Sequence, residues 1–302
     1  MTDEPVPGCT CGALPTKLQA LGDPEGARLP DGLPPVWDAH VHVFPDRLFN
    51  AVWAWFEEHG WPIRYKLYAR ETVRFQLDRG VERVVALHYA HKAGMARALN
   101  TFVAELAAEE PAVVPMATVF PGEPGARAIL ADAFAAGHRG VKLHCHECFA
   151  PDESRMVEVY EACAAAGRPL VMHAGREPKS PAYKCDPHAL CSVDRVERVL
   201  RDHPKLKLVV PHLGFDETAA YLHLLERFDN LWLDTTMAVA GYFPHPVPWD
   251  LVDARPDRIL YGTDFPNLPY AWDRELLRLA ARAVPPADLE RVLGGNAKSL
   301  FA

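Results

Sequence analysis

Histidine, lysine and aspartate side chains recur at the ends of short apolar runs in this chain. The first run, Val36-Trp37-Asp38-Ala39-His40-Val41-His42, closes on two histidines two residues apart. On a β-strand side chains alternate faces, so His40 and His42 point the same way and two imidazoles can serve one metal ion. A single pair of this kind is common on protein surfaces. Further donors follow: Lys142, His144 and His146 at one parity, His173 after Leu170-Val171-Met172, His212 after Leu208-Val209-Val210-Pro211, and Asp264 after Ile259-Leu260-Tyr261-Gly262-Thr263. Neutral imidazoles with one carboxylate are the donor set of a catalytic Zn²⁺ or similar divalent ion, with a position left for water. Singly, each histidine could be a buried polar cap and Asp264 an N-cap before a turn. Their recurrence at strand ends favours a metal site.

The elements that must carry these residues alternate. Strands are expected at 36–42, 83–87, 113–119, 140–146, 169–173, 206–212, 231–235 and 258–264. Helical periodicity runs over 46–59, 71–78, 95–109, 125–136, 154–166, 193–202, 217–228, 249–254, 273–282 and 286–293. Eight apolar strands separated by helices predict an α/β fold, a parallel (β/α)8 TIM-like barrel over residues 36–302. The alternative, an open doubly wound sheet, lacks a Gly-rich loop after the first strand. Active sites of such barrels sit at the strand ends, where the donors fall. Residues 1–35, rich in Pro and Gly, read as an irregular N-terminal arm. Cys9 and Cys11 lie there without a matching pair at metal-ligand spacing, and are read as free thiols. Leu48, Val52, Trp55 and Phe56 share one side of the 46–59 helix, and the neighbouring aromatic residues read as core packing.

The formal charge of −8 argues against nucleic-acid binding, and no apolar run is long enough to span a bilayer. The N-terminus lacks an apolar signal region, and seven scattered cysteines suit reduced thiols, so a cytoplasmic chain is expected. A homodimer through the outer helices is the expected assembly.

Asp38-Ala39-His40-Val41-His42, Gly140-Val141-Lys142-Leu143-His144, Met172-His173-Ala174-Gly175, Pro211-His212-Leu213-Gly214, Tyr261-Gly262-Thr263-Asp264-Phe265-Pro266 and Gly294-Gly295-Asn296-Ala297-Lys298-Ser299-Leu300-Phe301 together resemble the amidohydrolase-related family. This branch of the amidohydrolase superfamily includes aromatic-acid and aminocarboxymuconate-semialdehyde-type decarboxylases. The resemblance implies a distorted barrel with a divalent metal at its mouth. It implies His40, His42, His173 and Asp264 as ligands, with His212 beside them to polarise or protonate the substrate. Asp264 would also be the base toward water activated by the ion.

In two-metal members of the superfamily a carboxylated lysine bridges the ions, and Lys142 lies on the matching strand. Its motif, however, resembles the single-metal branch, so one ion is expected, Zn with Mn as the alternative, and a second ion bridged by Lys142 is the lesser reading. Cys145 stands where that branch usually has proline. The dense run His144-Cys145-His146-Glu147-Cys148 is read as pocket lining, or as a second metal site with Cys185 and Cys191. The long loop from Arg176 to Cys191 suits a lid or substrate clamp. Lys142, His144, Arg176 and Arg47 are the candidate substrate-binding residues, with Lys184 a further cation.

Hydrolysis of a small ester, lactone or amide substrate that carries a carboxylate is the first functional reading. Non-oxidative decarboxylation of a small aromatic or enol acid is the second. A barrel that binds a ligand without chemistry is the third.

Overall fold

The computed structural model describes residues 20–176, 182–243 and 246–302. Cys9 and Cys11 lie outside them. Eight strands are present: β1 (Trp37–His42), β2 (Arg83–Leu87), β3 (Val113–Pro115), β4 (Val141–His144), β5 (Leu170–His173), β6 (Leu208–Val210), β7 (Leu231–Asp234) and β8 (Ile259–Leu260). All pair in parallel, as β1-β2-β3 and as β4-β5-β6-β7-β8. Backbone hydrogen bonds cross both gaps. Ala117 N–H donates to Gly140 O and Lys142 N–H to Ala117 O, both at 2.8 Å. On the other side Ala39 N–H donates to Tyr261 O (2.9 Å) and His42 N–H to Phe265 O (2.8 Å). The ring is a (β/α)8 barrel.

Around it run α1 (Asp46–His59), α2 (Ala69–Asp78), α3 (Ala96–Glu109), α4 (Ala126–Ala135), α5 (Val157–Ala166), α6 (Pro187–Leu190), α7 (Val193–Asp202), α8 (Thr218–Arg227), α9 (Trp249–Ala254), α10 (Arg274–Ala280), α11 (Pro286–Glu290) and α12 (Asn296–Phe301). Their apolar stripes follow helical spacing, as in α7, which buries Val193, Val196, Val199 and Leu200. No helix among the described residues is long and apolar enough to cross a membrane.

Alternate strand residues separate into two layers. Leu170, Met172, Leu208, Val210, Leu231 and Leu233 pack outward with the helices. Val171, Val209 and Leu260 face inward with Trp37 and Ala39, over Ala297, Leu300 and Phe301 of α12. That last helix, unmarked by the sequence periodicity, closes the barrel at the end away from the histidines.

Several expected strands are shorter than predicted. The run expected to reach Val119 stops at Pro115, and the run expected to reach His212 stops at Val210 before Pro211. Proline cannot donate to a ladder. The run expected to reach His146 stops at His144, and Cys145–Glu147 forms a 3₁₀ turn. The run expected to reach Asp264 pairs with β7 only at Ile259–Leu260.

His88, directly after β2, is fully buried, and its Nε2 contacts Asn100 Oδ1 at 3.1 Å. Asn100 in turn joins α3 to the backbone of Thr118. Burial pushes the His88 imidazole down to about 3 from its ordinary 6.5. The unfolded chain therefore takes up this proton first as pH falls. The contribution is full above about 6.5 and is lost toward 3, at roughly 1.4 kcal/mol per pH unit. Denaturant unfolding of wild type and His88→Gln between those pH values should show a shallower acid slope in the variant. Parallel slopes would refute the assignment.

Candidate metal centre

The donors reach the barrel mouth by three backbone devices. In β1 the register to β2 slips between Asp38 and Val41. This bulge lets Trp37 and Ala39 face the inner core while His40 and His42, beyond it, also turn inward. Val41 faces outward among Phe49 and Trp53. Simple alternation carries Lys142 and His144 on β4, His173 on β5 and Asp234 on β7 inward. His212 and Asp264 lie past their strands at φ +57° and +77°, conformations costly for a residue with a Cβ. Gly262 makes room for the first histidine, since a Cβ there would meet His40 Cβ at 2.8 Å and Thr236 Oγ1 at 2.6 Å.

One compact donor triad is His40, His42 and Asp264, all buried, with one ligand atom from each inside a 4.8 Å span. Asp264 Oδ1 is 3.0 Å from His42 Nε2 and 3.4 Å from His40 Nε2. Neighbouring ligands around an ion bonded at about 2.1 Å stand about 3.0–3.4 Å apart, so these separations fit a divalent cation. The tautomer of His40 fits as well. Its Nδ1–H donates to Asp234 Oδ2 (2.8 Å), and its Nε2 accepts from Lys142 Nζ (3.3 Å), so Nε2 carries the lone pair a metal needs. Burial, reinforced by the Lys142 charge, lowers His40 to about 4 and keeps it neutral. Burial works against ionisation of Asp264, but the facing His42, through charge and hydrogen bond, outweighs it and holds the carboxyl well below its usual range.

Asp234 serves both sides of the site. Besides His40, it accepts from the backbone N–H of His212 (3.1 Å) and of Thr236 (3.2 Å) through Oδ1. His212 Nδ1–H donates to Thr236 O (3.0 Å), leaving Nε2 toward His173 Nδ1 (3.3 Å).

His173, expected as a fourth ligand, falls in a second triad with His144 and His146. Burial, and then the neighbouring imidazoles, push both His144 and His173 far below the ordinary histidine value. Tyr89, which follows β2, sits against His144 (ring centroids 4.5 Å) and His42 (5.9 Å). Lys142 is buried at the mouth, in contact with His40.

The expected guanidinium partners are placed differently. Arg176 pairs with Glu217 (3.5 Å), and Glu217 also accepts from the backbone of Arg176 and Val193. Arg47 is exposed in the first turn of α1, and Lys184 is exposed too. Among the described residues, no hydrogen bond or ion pair joins Arg47 to the histidines. Cys148 and Cys185 direct their thiols at His146 O (3.9 and 3.4 Å), and Cys191 is buried. Part of the predicted lid, 177–181, lies outside the described residues.

Asp234 and Tyr89 were missed from sequence. Asp234 had a usable signal, since it shares the parity of Trp232 and ends β7 as the other donors end their strands. Tyr89 had none. A cavity of about 380 Å³ opens beside His212, lined by Phe215, Leu222, Met237, Phe243 and Val247.

If Asp234 fixes the His40 ring, Asp234→Asn should weaken divalent-metal affinity about 10–100-fold. Competition with a chromophoric chelator measures this directly. Unchanged affinity would mean that His40 is oriented by other contacts.

Comparison with solved structures finds the same architecture. An uncharacterised TIM-barrel protein from Bordetella bronchiseptica is 20% identical, with a TM-score of 0.67, covering 88% of this chain and 97% of its own. A 5-carboxyvanillate decarboxylase from Novosphingobium aromaticivorans, complexed with manganese and 4-hydroxy-3-methoxy-5-nitrobenzoic acid, is 15% identical (TM-score 0.63; 95% and 99% covered). A 4-oxalomesaconate hydratase from Rhodopseudomonas palustris is 14% identical (TM-score 0.60; 88% and 95% covered). At these identities the likeness is one of fold. No curated protein matches. The family model described as Amidohydrolase matches residues 37–302, from the first barrel strand to the last residue, and the chain therefore belongs to the amidohydrolase family.

Proposed function

We propose that this protein is a metal-dependent hydrolase of a small ester, lactone or amide that carries a carboxylate and an apolar group. His40, His42 and Asp264 would hold one divalent ion, zinc by the donor set or manganese as in the Novosphingobium neighbour. That ion supplies Lewis acidity, polarising a substrate oxygen and making water more acidic.

The observation that carries the reading is the placement of Asp264 within the donor triad, its Oδ1 3.0 Å from His42 Nε2, a setting that favours the ionised carboxylate. An ionised Asp264 can take a proton from attacking water, whereas a group that must protonate a substrate carbon starts out carrying its proton. His212, with Nδ1–H tied to Thr236 O, keeps the Nε2 lone pair at the cavity edge, where it can take a proton from the attacking water and return it to a leaving group. Lys142 supplies the buried positive charge that a substrate carboxylate would meet. The cavity beside His212 suits the apolar group.

Decarboxylation of an aromatic or enol acid is the second reading. The decarboxylase among the structural neighbours favours it, and Lys142 serves it equally well.

Turnover of an ester, lactone and amide panel in ¹⁸O-labelled water separates the two. Label in the product supports hydrolysis, while CO₂ release from an acid panel without label supports decarboxylation. Asp264→Asn should lower kcat by about 10²–10⁴, with metal content measured on the same sample. Leu222→Trp, which fills the cavity, should raise KM about 10-fold without changing metal content. An unchanged KM would place the substrate elsewhere.

A further inference from the structure

We propose that Cys148 and Cys185 are a redox modification site, a thiol pair that closes reversibly to a disulfide and ties residues 182–190 to the turn after β4. Both cysteines lie outside the triad His40, His42 and Asp264, so the inference stands apart from the reaction proposed above.

The pair is assembled from two elements far apart in sequence. Cys148 ends the 3₁₀ turn Cys145–Glu147, and Cys185 comes just before α6. Both thiols are directed at one acceptor, the carbonyl oxygen of His146, at 3.9 Å from Cys148 Sγ and 3.4 Å from Cys185 Sγ. The Cys185 thiol also lies within hydrogen-bonding reach of the Cys148 thiol and of the Cys148 backbone N–H. Both side chains are partly exposed, so a small oxidant can reach them, whereas Cys145, Cys163 and Cys191 are buried.

The backbone on each side of the pair is fixed. Cys148 sits at φ +66° and ψ +49°, and a residue with a Cβ stays there only when its surroundings hold it. Arg155 Nη2 donates to Cys148 O (2.6 Å), and Glu147 pairs with His91 (2.9 Å). On the other side, the N–H groups of Ala189 and Leu190 both donate to Asp186 O at 3.1 Å, and Gly175 N–H donates to Cys191 O (2.9 Å).

The segment that carries Cys185 touches the barrel mouth. The Tyr183 ring packs against Trp55 of α1 (centroids 5.4 Å) and against His146 (4.7 Å). These are non-covalent contacts of an exposed stretch, and such contacts open locally at low cost. An S–S bond two residues away would hold Tyr183 in that place.

The oxidant class is a peroxide. A cysteine thiolate attacks the O–O bond, a sulfenic acid forms, and hydroxide departs. The second sulfur then displaces the sulfenic hydroxyl as water, and the S–S bond closes. Two thiols and one hydrogen peroxide thus give one disulfide and two waters, each sulfur losing one electron. Burial, then the adjoining Cys148 thiol, pushes the Cys185 thiol up to about 12, so the first attack falls to Cys148 and Cys185 closes the bond. A dithiol reductant reverses the step by exchange.

The test is peptide mapping of the full chain after hydrogen peroxide, with free thiols alkylated and no reductant present. Wild type should yield a peptide pair joined through Cys148 and Cys185, and dithiothreitol should dissolve it. Cys148→Ser and, independently, Cys185→Ser should give no such pair, with circular dichroism to check folding. Tryptic cleavage after the exposed Lys184 should slow several-fold in oxidised wild type and stay unchanged in peroxide-treated Cys148→Ser. Oxidation of either cysteine to the sulfinic or sulfonic acid without the joined pair would overturn the proposal, as would joining of either to a different cysteine. A joined pair that leaves cleavage at Lys184 as fast as in the reduced protein would refute the tether.

Discussion

A single buried carboxylate organises the mouth of the barrel. Asp234, at the end of β7, accepts from His40 on one side and from the backbone of His212 and Thr236 on the other. Burial opposes its ionisation, but the hydrogen bonds from His40 Nδ1–H and from the backbone of His212 and Thr236 favour the charged form, and Asp234 stays below its ordinary value. A buried charge that loses its partners costs roughly 3–5 kcal/mol, so these contacts are held firmly. Asp234 therefore sets the His40 tautomer and the position of the strained turn at His212 in one step.

From that point a directional chain of hydrogen bonds crosses the site. Thr236, whose N–H is bound by Asp234, uses its carbonyl to fix His212, and His212 in turn meets His173. The first triad, through His40, and His173, through His212, are thus tied to one carboxylate. Strain gathers where these contacts are made. His212, Leu213, Phe215, Met237 and Asp264 all have positive φ. Strand ladders cannot hold such residues, and the side-chain hydrogen bonds around Asp234 and the packing beneath supply the constraint instead.

The sequence made the barrel legible because strand and helix periods differ and eight apolar runs recur. The first triad was legible in types, since His40, His42 and Asp264 end such runs. Its geometry was less so. Alternation along β1 is interrupted by a bulge, and nothing in Asp38-Ala39-His40 announces an extra residue. His146 was expected on β4 by parity, yet a turn brings it to His144. His173, assigned to the first ion by resemblance, also stands beside His144, its partner in the β4–β5 register, and His212. Asp234 escaped notice because it binds histidine and backbone, and motifs built on ligands do not mark the residues that orient them. Arg176 was read as a free cation because Glu217 is far away in sequence.

Lys142 ties the electrostatics together. Its ammonium is buried and donates to His40 Nε2, the same lone pair that would bind an ion. The two cations therefore compete for one atom. An ion at the first triad would deprive Lys142 of that partner and place two like charges close together in a region of low polarity, which is unfavourable unless an anion enters between them. Asp264 supplies one negative charge. A substrate carboxylate would supply another, and would be drawn to the point where the displaced ammonium and the ion meet. If an ion and a substrate bind there as proposed, Lys142 would couple metal occupancy to substrate charge, since only an anionic substrate would offer the ammonium a partner in place of His40.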